Sequence, residues 1–157
     1  MANDACRLRL LTAADAPALG AMLNAQRAEY LKGFFPFAFD VASIHAMLAQ
    51  AAKDRFWAIE ADGALVGMVM LRGMDAGYAR PAFGIAIAEG FAGRGFGRLA
   101  LEFAIGWAEK NGNPGIFLKV ADDNVPARRL YEAAGFRFEG ICPDIGHRMY
   151  VLPLPRH

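Results

Sequence analysis

A glycine-dense segment in the middle of the chain has the residue types that bind phosphate groups. It comprises residues 93–98 and follows an apolar run at residues 85–88. A strand that turns into a helix points successive backbone N–H groups at one spot, and the helix dipole adds partial positive charge there. Glycine lets phosphate oxygens reach these amides because it has no β-carbon. With the charges of Arg94 and Arg98, the segment predicts a phosphate or pyrophosphate cradle; a glycine-rich turn with only a packing role is the alternative.

Two other phosphate-binding motifs do not match this segment. A P-loop requires Gly-Lys followed by Ser or Thr, and the chain contains no such triplet. The dinucleotide fingerprint G-x-G-x-x-G would need a third glycine at the position of Arg98, after Gly93 and Gly95. The surrounding pattern also lacks a repeated βαβ unit. Both of these nucleotide-binding classes are therefore excluded.

A second segment, residues 124–136, combines two polar side chains with a predicted helix. Pro126 suits the first turn of a helix, and Gly135 suits its end. Asn124 and Tyr131 are separated by nearly two helical turns, so both can face the same cleft. The alternative is structural, with Asn124 as a helix cap and Tyr131 packed in the core.

The two segments together resemble the signatures of the Gcn5-related N-acetyltransferase (GNAT) family. Residues 92–97 resemble the family's acetyl-coenzyme A loop, [RQ]-x-x-G-x-[GA], and residues 124–136 resemble N-x-x-A-x-x-L-Y-x-x-x-G-F. One position departs from the pattern, because Ala92 stands where the family usually has Arg or Gln. We expect this departure to weaken a contact that supports the loop without abolishing the backbone cradle.

The resemblance implies a role for each matching residue, with acetyl-coenzyme A (acetyl-CoA) as the acyl donor and no metal. The strand at Ile85 and Ile87 would part from its neighbour and offer backbone groups to the pantetheine arm, which Asn124 would also hydrogen-bond. Tyr131 would be the catalytic residue, a general acid towards the leaving thiolate. The pyrophosphate would be held by Gly93, Arg94, Gly95, Phe96, Gly97 and Arg98.

The general base and the acceptor site are less well defined. The family often has a Glu on its fourth strand, where this chain reads Phe-Gly-Ile at residues 83–85. The alternatives for taking a proton from the ammonium group are a water chain, Glu29, Asp75 and His147. Aromatic residues could line the acceptor site, although ordinary core packing explains them equally well: Tyr30, Phe34, Phe35 and Phe37.

The hydrophobic pattern predicts a single α/β domain over residues 1–157. Alternating and helical periods give the order β-α-α-β-β-β-α-β-α-β-β, with a hairpin turn at Asp62-Gly63. The first helix is expected to run towards Tyr30, and Asp40 to cap the second. The predicted fold resembles that of the GNAT family: a mixed central sheet of about six to seven strands, helices on both faces and a splayed strand pair at the cofactor cleft.

Composition excludes several classes of protein. The 157 residues are 55% hydrophobic and 21% charged, with a net charge of +1, which excludes a disordered chain and a broad nucleic-acid-binding surface. Cys6 and Cys142 are too few for a disulfide framework and are expected to be reduced thiols. No signal peptide or membrane span is predicted, so a cytoplasmic protein is expected. Arginine supplies 13 of the 17 basic residues, which is typical of a high-GC bacterial genome.

The sequence therefore predicts an acetyl-CoA-dependent N-acetyltransferase. Its acceptor would be a primary amine on a small molecule, an amino sugar or a protein N-terminus, reached by direct attack on the thioester. The alternative is a non-catalytic acyl-coenzyme A-binding domain of the same fold, which the presence of Tyr131 disfavours. Neither nucleic acid nor membrane is expected as a partner, and a homodimer is left open.

Overall fold

The computed structural model describes residues 6–31, 34 and 36–155, so Phe35 lies outside the described residues. The order of elements is the predicted one. The strands are β1 (Cys6–Leu10), β2 (Arg55–Ala61), β3 (Ala64–Arg72), β4 (Ala82–Ile87), β5 (Gly115–Val120), β6 (Arg137–Ile141) and β7 (Arg148–Pro153). The helices are α1 (Ala16–Asn24), α2 (Val41–Gln50), α3 (Phe96–Lys110) and α4 (Val125–Ala133), and single 3₁₀ turns lie at Ala13–Asp15 and Glu89–Phe91.

The seven strands form one mixed sheet in the order β1-β2-β3-β4-β5-β7-β6. All neighbouring strands are antiparallel except β4 and β5, which run parallel. These two strands pair in register only at Ala82 and Phe117 and then part. The predicted mixed sheet is thus confirmed, and its parted strands leave an opening in the middle of the sheet.

Both faces of the sheet are covered by helices, as predicted. Along β3, Met68 and Met70 pack with α1 and α2, whereas Val69 and Leu71 pack with α3 on the opposite face. This alternation follows from the two-residue repeat of a strand, and its continuous apolar character shows that the strand is buried on both sides. None of the helices in the described part of the chain is long and apolar enough to cross a membrane.

Local signals place most of the element boundaries. Asp62 and Gly63 have φ angles of 53° and 75°, which is the left-handed geometry of the predicted hairpin turn. Asp40 accepts a hydrogen bond from the Ser43 N–H at 2.9 Å and so caps α2, as predicted. Cys6 and Cys142 are both free thiols.

The predicted extension of the first helix towards Tyr30 is wrong, because α1 ends at Asn24. The side-chain amide of Asn24 donates to the Gly20 carbonyl at 2.8 Å and to the Phe39 carbonyl at 2.9 Å. Gln26 likewise donates to the Met22 carbonyl at 2.8 Å. The Gln26 side chain thus occupies the carbonyl that its own backbone N–H would take in a continuing helix, whereas that N–H bonds the Leu23 carbonyl at 3.4 Å and α1 ends.

Candidate functional site

A cleft of about 440 Å³ lies where β4 and β5 part. One wall is the free edge of β4, the other is the end of β5 with the start of α4, and the glycine segment closes one end. Most of the residues predicted to form the donor site line this cleft: Ile85, Ile87, Gly93, Gly97, Asn124 and Tyr131. Segments about 40 residues apart in sequence are thus brought to one opening, because parallel strands end at the same side of a sheet.

The glycine turn is shaped by its backbone rather than by packing. Gly93 and Gly95 have φ angles of 78° and 85°, which favour glycine, and Gly95 directly precedes the first residue of α3. A Cβ built on either glycine would meet no protein atom within 4 Å. The space in front of the turn is therefore open to a ligand, which fits the phosphate cradle and not the packing alternative.

The remaining residues predicted for the pyrophosphate do not line the cleft with their side chains. Phe96 is buried, 2% exposed, and its ring stacks on Phe91 with centroids 6.2 Å apart, so only its backbone faces the turn. The Arg94 guanidinium lies 4.7 Å from the centre of the same Phe91 ring. Arg98 is paired with Glu102 at 3.4 Å on the surface of α3. Both arginines add positive charge near the turn from outside the cleft.

Asn124 caps α4 and also lines the cleft. Its side-chain oxygen accepts from the Ala127 N–H at 3.3 Å, which leaves the two amide N–H groups as donors. The structural and the functional interpretations of this residue are therefore compatible.

Tyr131 lies near the middle of the cleft wall formed by α4. It is 7% exposed, and its ring contacts Phe83 edge-on at 6.1 Å and Phe136 at 5.8 Å. Burial raises the pKa of Tyr131 to about 12, because the phenolate would be poorly solvated. The phenol is therefore protonated at neutral pH and suits a proton donor rather than a base.

The segment after α1 is hydrogen-bonded to the end of β4. The Tyr30 hydroxyl donates to the Ile87 carbonyl at 2.6 Å, and the Glu89 N–H donates to the side chain of Gln26 at 2.8 Å. Arg27 forms an ion pair with Glu89, with Nε 2.9 Å from Oε1. Burial, and to a smaller extent the nearby negative charge of Glu89, raises the pKa of Tyr30. The sequence does not indicate this connection between the segment after α1 and the end of β4, because about 60 residues separate the partners and no motif marks such pairs.

Only one of the three predicted bases lines the cleft. Glu29 is exposed and pairs with Arg27 at 3.2 Å. The Asp75 carboxylate accepts from the backbone N–H groups of residues 52–54, which lower its pKa and fix it to that loop. His147 lines the cleft from the loop that precedes β7.

A second cavity of about 840 Å³ adjoins the cleft. The two share Phe34, Phe83, Gly84, Lys119 and His147. The second cavity is also lined by side chains from separate parts of the chain: Pro36, Asp54, Met70, Arg72, Tyr78, Phe117 and Ile145.

The predicted aromatic residues divide between these two spaces and the core. Phe34 lines both cavities and Tyr30 lines the cleft, whereas Phe37 packs against Phe39 with centroids 5.6 Å apart. Sequence analysis missed Lys119 and Arg72, which are isolated basic residues in strand sequences and carry no signal of their own.

Comparison with known proteins identifies the family. The model of the acetyltransferase (GNAT) family matches residues 20–136. Streptothricin acetyltransferase of Streptomyces lavendulae is 31% identical over 114 residues, which cover 67% of this chain and 60% of that relative's length.

Solved structures show the same fold. A spermidine N-acetyltransferase chimera from Vibrio cholerae and hSSAT has a TM-score of 0.78 at 24% identity, covering 94% of this chain and 95% of the other. Ribosomal-protein-S5-alanine acetyltransferase from Vibrio fischeri has a TM-score of 0.79 at 16% identity, covering 98% and 95%. Because the family model matches residues 20–136, which is most of its length, the chain belongs to the acetyltransferase (GNAT) family.

Proposed function

We propose that the protein is an acetyl-CoA-dependent N-acetyltransferase that acts on a primary amine. The observation that carries this proposal is Tyr131, a buried and protonated phenol on the wall of a cleft between two parted strands. A phenol there can donate a proton to a leaving thiolate. The alternative, a domain that binds acyl-coenzyme A without turning it over, has no need for such a donor.

The donor site fits a phosphate-bearing ligand. Gly93 and Gly95 leave open space in front of the N-terminus of α3, where free backbone N–H groups and the helix dipole favour an anion. Arg94 and Arg98 add positive charge beside it. Ile85 and Ile87 belong to the part of β4 that β5 leaves unpaired, so their backbone groups, apart from the Ile87 carbonyl that accepts from Tyr30, can hold an extended arm. When bound, acetyl-CoA supplies the thioester that is the acetyl donor.

Two protons must move during transfer, and the cleft has a residue for each. The neutral amine attacks the thioester carbonyl carbon, an N–C bond forms and the C–S bond breaks with its electron pair on sulfur. Tyr131 donates its proton to that sulfur. His147, the one proposed base that lines the cleft, takes the proton that the amine nitrogen loses. Tyr30 has neither role here, because its hydroxyl group donates a hydrogen bond to the Ile87 carbonyl.

The experiment that tests this proposal measures thiol release from acetyl-CoA with a panel of primary amines. We expect amine-dependent release and, by calorimetry, binding of acetyl-CoA without amine. Binding without amine-dependent thiol release would establish the non-catalytic alternative. His147→Gln is the matched test of the base: it should lower kcat about 10²–10⁴-fold, the usual contribution of a general base.

A further inference from the structure

The second cavity is placed to hold the body of an acceptor amine. It shares Phe83, Gly84 and Lys119 with the cleft, and these residues lie where β4 and β5 part. None of the glycine-segment residues lines it within the described part of the chain. A molecule in this cavity therefore reaches Tyr131 and His147 from the end of the cleft opposite to the phosphate cradle.

The charged side chains that line the second cavity are mostly basic. Arg72 and Lys119 are cations, Asp54 is the one carboxylate among the described lining residues, and His147 adds a further positive charge when protonated. The Asp54 carboxylate also accepts from the Asp75 N–H at 3.1 Å, so it is partly engaged in its own loop. The cavity thus has a surplus of positive charge.

The two cations differ in how they are held. Arg72 donates to the Pro36 carbonyl at 2.7 Å, and its guanidinium lies 5.8 Å and 5.9 Å from the ring centres of Phe37 and Phe56. It is fixed in the wall. The Lys119 ammonium group makes no hydrogen bond or ion pair with the described residues, and the residue is exposed at the junction of the two cavities. Its ammonium group is therefore available to an anionic group of a ligand.

The rest of the cavity suits an apolar body. Phe34, Phe117, Tyr78 and Ile145 line it, and the last two are large apolar side chains that are 66% and 57% exposed. An acceptor that covers them would gain from the removal of apolar surface from water.

Resting on the proposed function, we infer that the acceptor is a primary amine with an apolar, ring-sized body and an acidic group, and that Lys119 binds the acidic group. A polyamine would bring a second ammonium group next to Lys119 and Arg72. Like charges in a confined site repel one another, so such acceptors are disfavoured. The surplus of positive charge in the second cavity therefore favours acceptor amines that have an acidic group.

Three rigid amines that differ only in one remote group test this inference. They are 4-(aminomethyl)benzoate, 4-(aminomethyl)benzamide and 1,4-bis(aminomethyl)benzene, which are anionic, neutral and cationic at that group. We expect kcat/KM to fall in this order, with about a 10–100-fold difference between the first and the last, as one charge-assisted hydrogen bond allows. In Lys119→Met, which replaces the ammonium group and keeps an unbranched side chain one atom shorter, the ratio of kcat/KM for the benzoate to that for the diamine should fall at least about tenfold.

A control variant and a binding measurement separate this inference from the proposed function. Lys110→Met removes a lysine at the end of α3, outside both cavities, and should leave the ratio unchanged. Calorimetry with coenzyme A present measures binding of the three amines without turnover. Tighter binding of the benzoate without thiol release supports the acidic-amine site and overturns transfer. Equal or better binding and turnover of the diamine leaves transfer in place and overturns the role of Lys119.

Discussion

The proposed donor side and the proposed acceptor side of the cleft are built in different ways. The donor side comprises the end of β4, the glycine turn and the start of α4; the acceptor side is the second cavity. On the donor side, backbone groups face the opening: two glycines with positive φ, a helix N-terminus and an unpaired strand edge. On the acceptor side, side chains from separate segments face it, including Arg72, Lys119 and His147.

This difference has a functional consequence. In the proposed reaction, backbone groups would recognise the part of the donor that is the same in every reaction cycle, and they depend on local conformation. Side chains would recognise the acceptor, and one substitution can change their charge without changing the fold. Changes on the donor side should therefore alter reactions with all amines equally, whereas changes on the acceptor side should alter the preference among amines.

The largest effect is expected from Tyr131→Phe, at the boundary between the two sides. The substitution keeps the ring contacts with Phe83 and Phe136 and removes the proton donor. General acid catalysis usually contributes about 10²–10⁴-fold, so kcat should fall within that range for every amine, with little change in acetyl-CoA affinity. Steady-state kinetics and calorimetry measure the two quantities. A decrease in kcat below about threefold would mean that Tyr131 only shapes the pocket.

The same phenol should also make the fold sensitive to alkaline pH. In the unfolded chain a tyrosine titrates near pH 10, whereas burial raises the pKa of Tyr131 to about 12. Between these values the unfolded chain has lost the proton and the folded protein keeps it. The contribution of the protonated Tyr131 to the free energy of unfolding is therefore fully present below pH 10. It is lost as the pH rises to 12, and the total loss is up to about 3 kcal/mol. Urea titrations at a series of pH values should show a smaller loss in Tyr131→Phe.

The sequence predicts the local structure of the proposed donor side because local conformation encodes it. Gly93 and Gly95 indicate a turn, and Pro126 indicates the start of a helix. The periodicity of β3 and α3 indicates how the sheet and helices pack. The same reasoning overextends α1, because periodicity does not include the side-chain amide of Gln26, which takes the Met22 carbonyl where the helix ends.

The acceptor side was predicted only in part because it depends on long-range contacts. Phe34 and His147 were named for their residue types, but an equally plausible base, Asp75, is held by the loop at residues 52–54. Lys119 has no distinguishing neighbours in sequence, and its position at the junction follows only from the parting of β4 and β5. Residue type alone does not separate a cavity lysine from a surface lysine.

A smaller effect is expected from Gly97→Val on the donor side. Gly97 is in the first turn of α3 and lines the cleft, and its added Cβ would meet Ile87 Cδ1 at an ordinary 3.7 Å. Valine and glycine differ by only about a few tenths of a kcal/mol in helix propensity, so thermal stability should change little. The pattern of residues 92–97 has Gly or Ala at this position, and the larger valine side chain would occupy ligand space, so acetyl-CoA should bind about tenfold more weakly.

Gly106→Val is the matched control for this test. Gly106 also lies in α3, faces solvent, and its Cβ would meet nothing within 4 Å. It should likewise change the melting temperature little and leave acetyl-CoA affinity unchanged. If both variants bind acetyl-CoA as tightly as the parent protein, the glycine-rich end of α3 is not in contact with the donor.

The smallest effect is expected from Tyr30→Phe, which tests where the boundary between the two sides lies. The substitution keeps the ring in the cleft and removes the 2.6 Å hydrogen bond to the Ile87 carbonyl. One such bond contributes about 0.5–1.5 kcal/mol, and Gln26 and Arg27 still hold Glu89 at the end of the strand. Acetyl-CoA should therefore bind only about two- to tenfold more weakly, and kcat/KM should fall equally for the anionic, neutral and cationic amines. A changed preference among the three amines, with unchanged acetyl-CoA affinity, would instead assign Tyr30 to the acceptor side, because a residue that acts through the donor strand cannot distinguish the acceptors by charge.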